Sequence, residues 1–211
     1  MGAGMDAPKR PMPPADQAEG VEAWFGPAPD LAEWASASFI DDAAPLRNPD
    51  HEHLRSASIG FLWTNVPNAK KGRMVIGTAE PGAPQGAMGK WGRAKATLQV
   101  TEWFGMVPDF IITIDASWWL QASDAKACAL IEHELYHCAQ DRDEYGAPKF
   151  NRQTGRPVFA MRGHDFEEFI GVVRRYGADA AGIRELIEAA EAGPEIAATS
   201  IAQCCGTCLR A

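Results

Sequence analysis

No stretch of this 211-residue sequence approaches the roughly 18 consecutive apolar residues that a membrane-crossing helix needs. A helical span is therefore not expected. Basic residues are in the minority, 20 Lys and Arg against 28 Asp and Glu, for a net charge of -8. Phosphate binding draws on clustered Lys and Arg, so nucleic acid is not an expected partner. The small basic groups, Lys70, Lys71 and Arg73, then Lys90, Arg93 and Lys95, read as solvated loop charge. MGAGMDAPKRPMPPADQAEG lacks the apolar core of a secretory signal, so a cytoplasmic location is expected. Cysteines number five, an odd count, and without export they read as thiols and not as a disulfide framework. No repeat of solenoid length is visible.

What is present is ordinary globular material, 46% apolar and 23% charged, in a length that suits one domain. Residues 1–20, rich in Pro and Gly, read as a flexible arm. Residues 21–195 form the domain and 196–211 a tail with a cysteine cluster. Asp30 before LAEWASASFI predicts an N-cap and an amphipathic helix burying Leu31, Trp34 and Phe39. IGFLWT (59–64) and MVIGTA (74–79) read as paired strands. Glu80 to Gly92, punctuated by Gly and Pro, is a loop; KATLQVTEWFG fits helix or strand. DFIITID alternates as a strand does and should end at a turn before Trp118 and Trp119. PVFAM (157–161) reads as a short strand. A helix is expected from about His164 to Tyr176, with Gly177 as its stop and Asp165, Glu167 and Glu168 in its first turn. Another helix is expected from Ala178 to Ala192.

The clearest helix is SDAKACALIEHELYHCAQ, opened by Ser123 as cap and Asp124 in the positive first turn. At about 100° per residue, Cys128, Ile131, Leu135 and Cys138 share one stripe, while Lys126, Leu130, His133 and His137 fall opposite. The back is apolar and the front is chemical. Within it, HELYH (133–137) has the HExxH spacing. Side chains four apart on a helix point the same way, so two imidazoles can bind one Zn²⁺. Glu134, rotated by about 100°, stays off the metal but can act on a water beside it as general base.

A catalytic zinc needs a third protein ligand and an open position. The metzincin continuation is excluded, because Gln140 stands where its Gly is needed and Asp143 where its last His is needed. His164, Glu167, Glu168 and Asp143 compete for the role, the first three within GHDFEEF. Glu167 and Glu168, with Asp165, can instead sit in a helix's first turn for the macrodipole or hydrogen-bond a ligand imidazole from behind. Tyr136 and Tyr145 are candidate oxyanion donors, although Tyr136 lies on the helix face away from Glu134. Cys204, Cys205 and Cys208 include a lone CxxC, half of a structural zinc site; Cys128 and Cys138 read as small core residues.

IEHELYHC followed by a polar insertion and GHDFEEF resembles the putative phage metallopeptidase family and, more distantly, SprT-like zincins; the likeness covers about residues 105–176. The resemblance implies an α+β, zincin-like domain: a few-stranded mixed sheet packed on helices, with the HExxH helix lining the cleft. It implies His133, His137 and His164 as zinc ligands and Glu134 as base; the acidic surface points to a protein or peptide substrate, and a phage-encoded protein is expected in the host cytoplasm. Two other readings stay open, a binding or structural module that keeps zinc without catalysis, and a zinc hydrolase of a non-peptide bond.

Overall fold

The computed structural model describes residues 9–86, 88–197 and 201. Cys204, Cys205 and Cys208 lie outside the described residues. In chain order the elements are α1 (Ala15–Ala18), β1 (Phe25–Pro27), α2 (Pro29–Ala35), β2 (Ile59–Thr64), β3 (Asn68–Lys70), β4 (Arg73–Val75), β5 (Gly77–Pro81) and α3 (Lys90–Phe104). There follow β6 (Phe110–Asp115), α4 (Ala116–Gln121), α5 (Asp124–His137), β7 (Cys138–Gln140), β8 (Phe159–Met161), α6 (Ile170–Ala180) and α7 (Arg184–Ala192). A π-helical turn, Ser36–Ile40, extends α2, and a 3-10 helix, Pro49–Ser56, precedes β2.

The class is α+β, with a mixed four-stranded sheet in the order β1-β2-β6-β5. Strand β2 runs parallel to β6 and antiparallel to β1, while β5 runs antiparallel to β6 and forms an edge. The expected pairing of 59–64 with 74–79 is thus corrected. Phe110–Asp115, apolar on both faces, takes the central place between them, as a strand buried on both sides should. Residues 74–79 are themselves divided, with Arg73–Val75 forming a hairpin with Asn68–Lys70 before β5 begins.

Alternation along β2 and β6 separates two cores. Phe61, Trp63, Phe110, Ile112 and Ile114 pack with α2, α4 and α5, where Trp34, Trp63 and Trp119 meet edge to face. Leu62 and Ile111 face the other way, onto Val100 of α3. The open segment KATLQVTEWFG is therefore helix, because its residues cover the second face. Asp115 caps α4 by accepting from Trp118 N–H at 2.9 Å, so helix and not turn follows β6. For α2 the cap is Ala28, with Asp30 already inside; Leu31, Trp34 and Phe39 are buried as expected.

Residues 9–20 are not a free arm. Arg10 is buried, donates to Ala122 O at 2.9 Å, lies 3.5 Å from Asp124 and sits over the Trp119 ring. Trp119 Nε1 donates to Pro11 O, and Ser117 Oγ to Ala18 O. The proline-rich composition concealed this because its anchors are one cation and a few carbonyls. Among the described residues no helix is long and apolar enough to cross a membrane.

Candidate metal centre

Helix α5 carries two of the three imidazoles, and local chemistry fixes where it starts. Ser123 Oγ accepts from Lys126 N–H, and Asp124 stands in the first turn, where a negative charge is favoured. The stripe of Cys128, Ile131 and Leu135 is buried at 0–5% exposure and sets the helix's rotation against the sheet. His133 and His137 then project to the open side. Burial pushes the Cys138 thiol up to about 12, so it behaves as a small core group, as Cys128 does.

The third imidazole arrives by a route that spacing does not disclose. Directly after α5, β7 pairs antiparallel with β8, matching Cys138 with Met161. One step further, Arg162 N–H donates to His137 O at 2.9 Å, and His137 Nδ1 lies 2.6 Å from Arg162 O. The polar insertion 141–158 is thus a long excursion closed at its base, and the closure sets His164 two residues past Arg162. Here the expected helix from His164 is corrected. It begins at Ile170, with no acid in its first turn, and is interrupted at Gly177 by φ +84°. Glu168 accepts from the Phe169 N–H at 2.6 Å, the kind of local bond that competes with helix. α7 likewise starts at Arg184, later than expected.

Candidate nitrogens of His133, His137 and His164 all lie within 4.8 Å of one another, and among the described residues no carboxylate joins this group. His164 Nε2 is 3.1 Å from His133 Nε2. Two ligands about 2.05 Å from one tetrahedral Zn²⁺ would stand about 3.3 Å apart, so the pair fits such an ion. Burial first, then the neighbouring His137 and His164, lower the His133 pKa and favour the neutral form that binds metal. His137, with its Nδ1 against the Arg162 carbonyl, is held as a metal-binding ring usually is, from behind.

The other candidates have different partners. Asp165 pairs with Arg162 at 2.6 Å, Glu167 with Lys71 at 3.0 Å, and Asp143 accepts the Tyr145 and Ala147 N–H groups. None hydrogen-bonds an imidazole from behind in the described structure, and the dipole reason offered for Glu167 and Glu168 falls with the helix start. Tyr136 donates to Asp50 and accepts from Asn48, and Tyr145 is exposed on the insertion, so neither hydroxyl faces Glu134.

Glu134 is 3% exposed, and burial pushes its carboxyl up to about 7 against the pull of His137 and an Ala79 N–H bond. Its Oε2 has no hydrogen-bond partner among the described residues, an orphaned acceptor on the wall of the cleft beside the imidazoles. Gly77 makes this possible, because a Cβ there would stand 2.7 Å from Glu134 Oε1. A glycine inside MVIGTA was the available signal of that close approach. The family description "putative phage metallopeptidase" matches residues 32–191.

The chain belongs to that family. No curated protein and no solved structure matches it. Membership in a phage metallopeptidase family agrees with the donor set, three imidazoles with a buried acid beside them.

A stability test follows from the acid. A carboxyl whose folded pKa lies above its unfolded value of 4.5 costs nothing below pH 4.5, and the cost grows until pH passes about 7. At full size it is about 3 kcal/mol. In metal-free protein, Glu134→Gln should therefore gain on the wild type in urea denaturation as pH rises from 4 to 8. A gap that stays constant with pH would mean that Glu134 is not held as described.

Proposed function

We propose that this protein is a zinc-dependent peptidase in which His133, His137 and His164 hold the metal and Glu134 is the general base. The observation that carries this reading is the convergence of three imidazoles next to a buried carboxylate with an unpartnered oxygen. An all-nitrogen donor set suits zinc among the common divalent ions. A zinc ion held there lowers the pKa of water toward about 7 and polarises a carbonyl. Glu134 takes the proton of the attacking water at its carboxylate and delivers it to the leaving amine; a zinc ion beside it would draw the carboxyl down from the metal-free value of about 7, toward the charged form a base needs.

The edge strand favours a peptide as substrate. Asp115 N–H donates to Ile76 O and Gly82 N–H to Asp109 O, so the alternation of an antiparallel pair turns the Gly77 and Ala79 main chain away from β6. Ala79 gives its N–H to Glu134, and an extended chain can pair with what remains of this edge. A module that only stored zinc for its fold would gain nothing from a buried, destabilising Glu134, which weighs against the non-catalytic reading. If the protein is phage-encoded, as the family description suggests, this activity belongs in the host cytoplasm. Elemental analysis should find about one zinc per chain in protein purified without added metal, or stoichiometric uptake on titration. Neither content nor uptake would end this reading.

A further inference from the structure

One end of the cleft, about 660 Å³ in all, is apolar with a basic rim. Ile76, Trp118, Ala129 and Leu130 line it, with Met74 of the β3–β4 hairpin, 72% exposed, also in the lining. Among the described residues no acid but Glu134 lines the cleft, although the chain carries a net charge of -8. Its charged lining is instead Lys70 and Lys126. Lys126 has no ion-pair partner among the described residues, whereas Lys70 stands near Glu167, whose carboxylate is taken by Lys71.

We propose that this end of the cleft selects a peptide segment with a bulky apolar side chain and an acidic residue two positions from it, the acid being met by Lys126. The proposal rests on the peptidase reading for its orientation along β5. Lys126 and Leu130 are one helical turn apart on the same face of α5, a rise of about 6 Å. In an extended peptide, side chains two residues apart point the same way and stand about 6.6 Å apart. An apolar side chain over Leu130 therefore brings a carboxylate at the second residue under the Lys126 ammonium. A lysine there would meet like charge in a cleft with no exposed acid to accept it.

The test is peptide binding to zinc-loaded, full-length Glu134→Gln protein, read by fluorescence anisotropy at low salt. The probes are labelled heptapeptides of Gly and Ser with one central Phe and either Glu or Lys two residues to each side. The Glu peptide should bind about fivefold more tightly than the Lys peptide, with the gap closing as salt screens it. Lys126→Glu, made in the same background, should invert the ranking. That variant should fold, because position 126 is exposed and lies in the first turn of α5, where negative charge is favoured. Equal binding of both probes, no binding of either, or an unchanged ranking in Lys126→Glu overturns the proposal. If the ranking and its inversion appear but wild-type protein leaves the Glu peptide and longer analogues uncut, the subsite stands and the peptidase reading fails.

Discussion

Glu134→Gln is expected to keep fold and zinc while peptide hydrolysis falls by roughly a hundredfold or more. Gln preserves shape and can still accept from the Ala79 N–H, so the contact with β5 at Gly77 survives. What disappears is the acceptor that takes the water proton and the charge that steadies the transition state. Because Glu134 is not among the converging imidazoles, metal affinity should change little. Zinc content measured beside kcat separates these roles. Near-wild-type turnover in a correctly loaded variant would remove Glu134 from the chemistry.

Replacing His164 by Ala should weaken zinc affinity by orders of magnitude, while Glu167→Gln should change it by about tenfold or less. The difference arises from where each side chain is directed. His164 brings its Nε2 to 3.1 Å from that of His133, whereas Glu167 is exposed and paired with Lys71 on the hairpin tip. Loss of the imidazole leaves two helix-borne ligands, one short of the three protein ligands a catalytic zinc needs. Competition against a chelator at fixed pH gives both numbers. The reverse ranking would shift the metal toward a two-His, one-Glu set and take His164 out of it.

Spacing alone disclosed His133, Glu134 and His137, since a helix with a capping Ser123 and an apolar back leaves its face in no doubt. His164 was different. Its proximity depends on β7, three residues that continue straight from α5 and read in sequence as more of its apolar stripe, Cys138 included. The excursion from Asp141 to Val158 offers no periodicity, so the closure at His137 and Arg162 could be anticipated only through family resemblance. Strands β2 and β6 were legible from apolar runs, but strand neighbours depend on which segment is buried on both faces, a global property. Gly77 was visible as a glycine, yet its role becomes clear only when α5 lies against it. Arg10 reads as charge in a proline-rich stretch, and only the fold supplies the Ala122 carbonyl, Asp124 and the Trp119 ring that bury it.

Zinc titration of metal-free protein against a proteome-derived peptide library, with new N-termini counted by mass spectrometry, addresses the central claim most directly. Cleavage should rise with added zinc, level off at about one ion per chain, and be abolished by chelation. A protein that takes up its one zinc through the three histidines and still produces no new N-termini at any stoichiometry contradicts the account.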